Sequence, residues 1–334
     1  MKYALGVDIG GTKISLVLGT EKGKILARRE IPTWTGARTK ACVQELASNL
    51  RAMIIHSGVA PTRILGVGVG CPGAVNSLKD ALPRSPNLPG WAGLPLKSIL
   101  RKVTGLPVHL ANDANAAALG ESIFGAGKRA KDLIYITVST GIGGGIIIDG
   151  RLYEGAGSVA GEIGHISIVP EGTKCACGKR GCLEAYASGT AIANFMREEL
   201  VKQARTGQIK KSPCFLLCQR GTKGDFRFSA KGVGLAARAG DKIAIGSYQK
   251  AGYYLGIGLA NLMNILNPEM IVIGGGVLKS APGIFWKTMM KSAKQHAWPE
   301  AFFTTRIVRS QLKGQVGDLG ALALVFKNQK GQSF

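Results

Sequence analysis

The stretch Tyr3-Ala4-Leu5-Gly6-Val7-Asp8-Ile9-Gly10-Gly11-Thr12-Lys13-Ile14-Ser15-Leu16-Val17-Leu18 decides the fold class. Tyr3 to Asp8 is apolar, Gly10-Gly11-Thr12 is turn-forming, and Ile14 to Leu18 is apolar again, which predicts strand, turn, strand. Ile25 to Ile31 reads as a third strand. The pattern returns as Leu133 to Ser139, Thr140-Gly141-Ile142-Gly143-Gly144-Gly145 and Ile146 to Asp149. The return predicts two halves of similar topology, a weak internal repeat.

Helical spacing fills the intervals. Arg38 to His56 carries Val43, Leu46, Leu50 and Ile54 on one face. Ile64 to Gly70 is a buried strand closing on Cys71-Pro72-Gly73, and Val108 to Ala111 is a short strand. Asn112-Asp113 then caps an Ala-rich helix running to Phe124. Helices follow over Thr190 to Thr206 and Lys242 to Leu266, the latter closed by Asn267-Pro268. Strand Met270 to Ile273 runs into Gly274-Gly275-Gly276, and an apolar helix covers Leu319 to Phe326. Strands alternating with helices make the class α/β.

A chain of 334 residues, 46% hydrophobic, is long enough for two domains with their own cores. Its first apolar run is short and broken by Asp8, unlike a secretory signal, and no run of about 18 apolar residues marks a membrane span. The expectation is a cytoplasmic protein whose seven Cys bind metal or lie buried. The formal charge of +23 fits a basic surface that attracts anionic substrates such as nucleotides. Lys and Arg are spread along the chain without an aromatic-interleaved basic block, so nucleic acid is not the expected partner.

Chemistry concentrates in a few short motifs. In Asp8-Ile9-Gly10-Gly11-Thr12-Lys13 the glycines let backbone N–H groups approach a phosphate, Thr12 adds a hydroxyl and Lys13 a charge. Asp8 is placed to hold Mg²⁺ through water. An ordinary Gly-Gly hairpin would look similar, and Walker spacing is missing. Thr140 to Gly145 and Gly274-Gly275-Gly276 are two further glycine clusters at strand ends, a set that fits nucleotide binding. Gly68-Val69-Gly70-Cys71-Pro72-Gly73 matches the dinucleotide string only formally, because Pro72 would disrupt the helix start. A turn presenting backbone to a small substrate is the better reading. Asn112-Asp113 is either a plain helix cap or a carboxylate placed to take a proton from a substrate hydroxyl.

His165, Cys175, Cys177 and Cys182 supply a Cys₃His set for a closed zinc site. Their spacing differs from the two-plus-two pattern of DNA-reading fingers. Glu162 and Glu184 flank them, and carboxylates with an imidazole suit the hydroxyls of a polyol. Zinc on one ring nitrogen of His165 would leave the other to face a sugar. The metal is thus expected to be structural, anchoring Glu162, His165 and Glu184 as a sugar-recognition wall. Cys42, Cys71, Cys214 and Cys218 lack a His partner and read as small buried or incidental residues.

Asp8-x-Gly-Gly-Thr-Lys13, Asn112-Asp113, Thr140-Gly-x-Gly-Gly-Gly145, Gly161-Glu-x-Gly-His165 and Cys175-x-Cys-Gly-x-x-Gly-Cys182-x-Glu184 together resemble the repressor/open-reading-frame/kinase (ROK) family of sugar kinases. The motifs stand in the family's order from residue 8 to about 276, and Glu184 to Ala193 is similar to its bacterial glucokinase branch. The resemblance implies a two-domain actin-like ATPase (ribonuclease H-like) fold with an interdomain cleft. Residues 1-112 would form the N-terminal domain with helix 317-330 packing back on it, and 113-316 a larger domain carrying the zinc loop and a basic insertion at 207-229. It implies ATP-dependent phosphorylation of a hexose at its 6-hydroxyl, glucose before N-acetylmannosamine, mannose, fructose or N-acetylglucosamine, with a sugar-sensing regulator as the non-enzymatic alternative. Asp113 would be the general base, and Gly73, Asn112, Asp113, Glu162, His165 and Glu184 would hold the sugar. Asp8, Gly10, Gly11, Thr12, Lys13, Thr140, Gly141, Gly143, Gly144 and Gly275 would hold Mg-ATP. His165, Cys175, Cys177 and Cys182 would bind zinc, and the assembly would be a homodimer. Family repressors carry an N-terminal helix-turn-helix, whereas here the phosphate hairpin starts at residue 3. The nine-residue gap between His165 and Cys175 is similar to glucokinase and N-acetylmannosamine kinase members.

Overall fold

Alternation along the first strands sends side chains to two different cores. In the computed structural model β1 (Tyr3–Ile9) pairs antiparallel with β2 (Lys13–Thr20), setting Asp8 opposite Ser15 and Ile9 opposite Ile14. Leu5, Val7, Ile9, Ile14, Leu16 and Leu18 enter one core. Ala4 and Val17, on the alternate positions, enter another. β2 also pairs antiparallel with the largely exposed β3 (Ile25–Pro32). Helix α1 (Thr39–His56) leads to β4 (Ile64–Cys71), and α2 (Leu96–Thr104) leads to β5 (Val108–Asn112). β4 is parallel to β1 and β5 to β4, giving the sheet order β3-β2-β1-β4-β5. Cys42, Leu46 and Leu50 of α1 and Leu96 and Leu100 of α2 fill the first core.

Helix α3 (Asp113–Phe124) precedes β6 (Leu133–Val138), β7 (Ile142–Ile148) and β8 (Arg151–Tyr153). Helices α4 (Glu184–Ala187), α5 (Gly189–Arg205), α6 (Ala230–Arg238) and α7 (Lys242–Leu266) follow. Next come β9 (Met270–Gly274), α8 (Gly276–Ser280), α9 (Gly283–His296), α10 (Pro299–Thr304), β10 (Arg306–Arg309) and α11 (Val316–Lys330). The second sheet has the order β10-β9-β6-β7-β8. The structure describes residues 1–76, 80–82, 85, 87–205, 229–280 and 283–330. The basic insertion expected at 207–229, with Cys214 and Cys218, lies outside the described residues except for Ser229. No helix among the described residues is long and apolar enough to cross a membrane.

By contacts the chain forms two compact units. One comprises Met1–Tyr135, Gly145–Gly161 and Val308–Phe334, and the other Ile136–Gly144 and Glu162–Ile307. In the first unit, Leu319, Leu322, Val325 and Phe326 of α11 join Ala4 and Val17 in the second core. This helix lies so close to the sheet that a β-carbon on Gly68 of β4 would collide with the Ala321 carbonyl. Gly68 of the rejected dinucleotide string is therefore a packing glycine. One expectation is corrected: Gly143, Gly144 and Gly145 lie inside β7 rather than in the turn before it. A β-carbon at Gly145 would stand 2.7 Å from that of Ala118, so the glycine lets α3 close on the strand.

Gly68→Ala should lose about 1–3 kcal/mol of stability through overpacking. Gly246→Ala, in the second turn of α7 with open space around it, should gain about 0.5–1 kcal/mol. Urea midpoints of the two variants moving in the same direction would contradict this packing.

Candidate functional site: two amide-bearing turns and a thiol knuckle

In the first unit, β1 and β2 are joined through Gly10-Gly11-Thr12. Gly10 N–H donates to Lys13 O at 2.9 Å, and Thr33 ties down the carbonyls of Thr12 (3.0 Å) and Gly10 (2.7 Å). The amides of Gly11 and Thr12 have no hydrogen-bond partner among the described residues. Consecutive unsatisfied N–H groups form an anion-binding concavity. The Lys13 ammonium is engaged with Glu30 at 2.7 Å, and Arg28 bridges Glu30 (3.0 Å) to the buried Asp318 (3.3 Å).

Three carboxyls crowd the same unit. The Asp8 carboxylate rests on the first turn of α11, where a β-carbon on Gly317 would overlap it. Burial, then repulsion from Asp113 and Asp318, pushes Asp8 up to about 6. Asn112 serves as the N-cap of α3, accepting from Ala114 N–H (2.9 Å) and Asn115 N–H (3.2 Å). Its amide nitrogen donates to the carbonyl of Gly73 at 3.0 Å, and Gly73 adopts φ 109° in the turn after β4. The cap thus also orients Asn112 and fixes Asp113 beside it. Asp113 is reached by solvent but crowded by protein, and that desolvation raises its carboxyl above the usual range against the opposing hydrogen bond from Ala114 N–H.

The second unit repeats the turn. Between β6 and β7, Ser139 N–H donates to Gly141 O at 2.9 Å. Gly189 N–H holds the Ser139 carbonyl at 2.7 Å, and the Thr190 hydroxyl holds the Thr140 carbonyl at 2.8 Å. Again two consecutive amides, of Thr140 and Gly141, have no partner among the described residues. The turn borders a 660 Å³ cavity with Arg197, Lys231, Arg238 and Lys279 on its walls and no carboxylate among the described residues that line it. Of the residues expected to hold nucleotide in this half, Thr140 lines the cavity. Gly275, at φ 101°, instead backs against Val138, where any β-carbon would strike the strand. The cationic walls come from α5, α6 and α8, which the motifs do not mark.

The knuckle is built by two left-handed glycines, Gly178 (φ 93°) and Gly181 (φ 77°). They let Cys175 N–H donate to Lys179 O at 2.8 Å and Gly178 N–H to Cys175 O at 3.0 Å. The ligand atoms of His165, Cys175, Cys177 and Cys182 all lie within 4.8 Å of one another. Cys175 Sγ is 3.8 Å from His165 Nδ1, and Cys177 Sγ is 3.7 Å from Cys182 Sγ. A tetrahedron with bonds of about 2.3 Å has edges of about 3.8 Å, so the four residues fit zinc. Burial holds the Cys175 and Cys182 thiols above their ordinary value, while a backbone hydrogen bond from Lys179 lowers Cys177. Filling the site therefore releases protons. The other ring nitrogen of His165 faces Glu162 Oε2 at 3.8 Å. Glu184 accepts the Ile142 N–H at 2.8 Å and lies 3.7 Å from Cys175 Sγ.

Two sheets of this topology with amide-bearing turns at their strand ends define a phosphate-binding protein of the actin-like ATPase fold. The ROK family profile matches residues 4–328, and the chain belongs to the ROK family. A glucokinase of Halalkalibacterium halodurans is 39% identical over 307 residues, covering 92% of this chain and 88% of that protein. The crystal structure of a ROK family glucokinase from Streptomyces griseus, in complex with glucose and AMPPNP, superposes with a TM-score of 0.77 at 34% identity, covering 96% of this chain and 98% of that one. A xylose repressor of Caldicellulosiruptor bescii is 31% identical over 324 residues, 97% of this chain and 78% of that protein.

The raised Asp8 carboxyl has a definite sign in stability. The folded state binds this proton more tightly than the unfolded chain, so its contribution is complete below pH 3.8 and is lost as pH rises through about 6. Asp8→Asn should therefore stabilise the protein at pH 8 more than at pH 4, by on the order of 1–3 kcal/mol. Urea unfolding at the two pH values measures the difference, and equal effects would contradict it.

Proposed function

We propose that the chain transfers the γ-phosphoryl group of ATP to the 6-hydroxyl of a hexose, converting glucose to glucose 6-phosphate. The observation that carries this reading is Asp113, a solvent-accessible carboxyl with a raised pKa beside the doubly anchored Asn112. A base tuned toward neutral pH is what proton removal from a sugar hydroxyl requires. The Halalkalibacterium halodurans relative, and the Streptomyces griseus structure that binds glucose and AMPPNP, support the same substrates.

In this reading Asn112, Asp113 and the Gly73 turn bind the sugar, as do Glu162, His165 and Glu184. The amides of Gly11, Thr12, Thr140 and Gly141 donate to phosphate oxygens, where preorganised dipoles stabilise charge that develops during transfer. Gly10, Gly143, Gly144 and Gly275 act through backbone shape, and Lys13 meets phosphate by exchanging its Glu30 partner. Mg²⁺ suits Asp8, whose carboxyl is crowded by two others, and when bound it supplies neutralising charge. Asp113 accepts the hydroxyl proton as the oxygen attacks phosphorus and ADP leaves. The chain works as a homodimer in the cytoplasm, at the entry of hexose into glycolysis. Its exposed Ile265 (76%), Trp298 (67%) and Phe303 (73%) support a subunit contact.

The similarity to the xylose repressor favours a second reading, a sugar-binding regulator. Turnover decides between the two. A panel of hexoses with Mg-ATP, read as ADP release, should give its highest kcat/KM with glucose. Asp113→Asn should lower kcat by about 10²–10⁴-fold while glucose still binds. Retention of most of the turnover in that variant would remove Asp113 from its role.

A further inference from the structure

We infer that the thiol knuckle also sets the shape of the Thr140-Gly141 turn, by gripping the Ile142 peptide between Glu184 and Gly164. The inference rests on the reading above, in which that turn receives the nucleotide's phosphates. It gives the metal site a role on the donor side, in addition to the sugar wall expected from the motifs.

Both ends of the Ile142 residue are held. Its N–H donates to Glu184 Oε2 at 2.8 Å. Its carbonyl packs so tightly on Gly164 that a β-carbon there would overlap the oxygen. Gly141 lies flat on the same Glu184 carboxylate, again with no room for a β-carbon. Each jaw of this grip adjoins a metal ligand. Gly164 immediately precedes His165, and Glu184 stands two residues after Cys182. The second Glu184 oxygen is 3.7 Å from the sulfur of Cys175.

Beyond Glu184 the chain keeps hold of the turn. Gly189 N–H binds the Ser139 carbonyl at 2.7 Å, and the Thr190 hydroxyl binds the Thr140 carbonyl at 2.8 Å. Residues 162–165 and 182–190 therefore form the two jaws, and a cation bonded to His165 and to Cys182 joins them. With the jaws joined, the turn's amides that lack a partner among the described residues are the two offered to an anion. With them parted, the same amides lose their common direction, and a site that binds through direction loses affinity. Glu184 and Gly164 are thus positioning residues toward the nucleotide.

The test is titration of Mg-AMPPNP, without sugar, into five forms of the full chain: intact, zinc-stripped, Gly164→Ala, Glu184→Ala and Glu184→Gln. Metal content is measured for each. Stripping, Gly164→Ala and Glu184→Ala should each weaken AMPPNP by about tenfold or more, the scale of one charge-assisted hydrogen bond. Glu184→Gln keeps an oxygen for the Ile142 amide and should stay within about threefold of the intact protein. Restoring zinc to the stripped protein should restore its affinity, which keeps the test valid if Gly164→Ala does not fold. Unchanged AMPPNP affinity in the metal-free protein, or in Glu184→Ala, overturns the inference alone. Failure of the intact protein to bind AMPPNP overturns the proposed function and the inference with it.

Discussion

A tight reversal between two antiparallel strands leaves backbone N–H groups that neither strand can satisfy, and in a folded protein such groups need a partner. This chain makes that reversal twice, at Gly11-Thr12 and at Thr140-Gly141, and both times it ties down the surrounding carbonyls while leaving two adjacent amides without a partner among the described residues. Much of the architecture serves those amides. Apolar β1, β2, β6 and β7 fix where the reversals stand. The Thr33 contacts brace the first, and Glu184, Gly189 and Thr190 brace the second.

Electrostatics take opposite signs in the two units. In the first, Asp8, Asp113 and Asp318 are all held above the ordinary carboxylate range, each with burial as the leading cause. Arg28, at 3.3 Å from Asp318, offsets part of that repulsion. In the second, four cationic side chains line one cavity, with no carboxylate among the described lining residues. A crowded set of acids favours a metal cation, whereas a cationic cavity steers polyanions. The formal charge of +23 extends the second effect over the whole chain.

The parts legible in the sequence are those with local causes. Helix α7 runs from Lys242 to Leu266 as its pattern predicts, because Asp241 caps one end through Ile243 N–H (2.9 Å) and Ala244 N–H (3.0 Å) and Asn267 turns left-handed at the other. The thiol knuckle was legible from spacing, since Gly178 and Gly181 mark the two turns that bring the ligands together. Distance in sequence hid the rest. Gly143, Gly144 and Gly145 look like turn residues until α3 is known to pack against the strand at Gly145. Arg197, Lys231 and Lys279 reach one cavity from three helices with no shared motif. Glu184 was visible as a carboxylate beside the ligands, but its bond to Ile142, 42 residues away, depends on the folded sheet.

The close packing of α11 on Gly68 also bears on how the protein is made. Ala4 and Val17 share their core with Leu319, Leu322, Val325 and Phe326, so one face of the first sheet is completed by a segment some three hundred residues further along the chain. The ribosome delivers about 5–20 residues per second, which leaves that apolar face uncovered for on the order of ten seconds or more. The residues of the second unit, Ile136–Gly144 and Glu162–Ile307, all emerge during that wait. The strands of residues 3–20 are thus synthesised well before the helix that finishes their packing. A nascent-chain chaperone would meet this sheet face, and loss of α11 would be felt at residue 4 before it was felt anywhere in the middle of the chain.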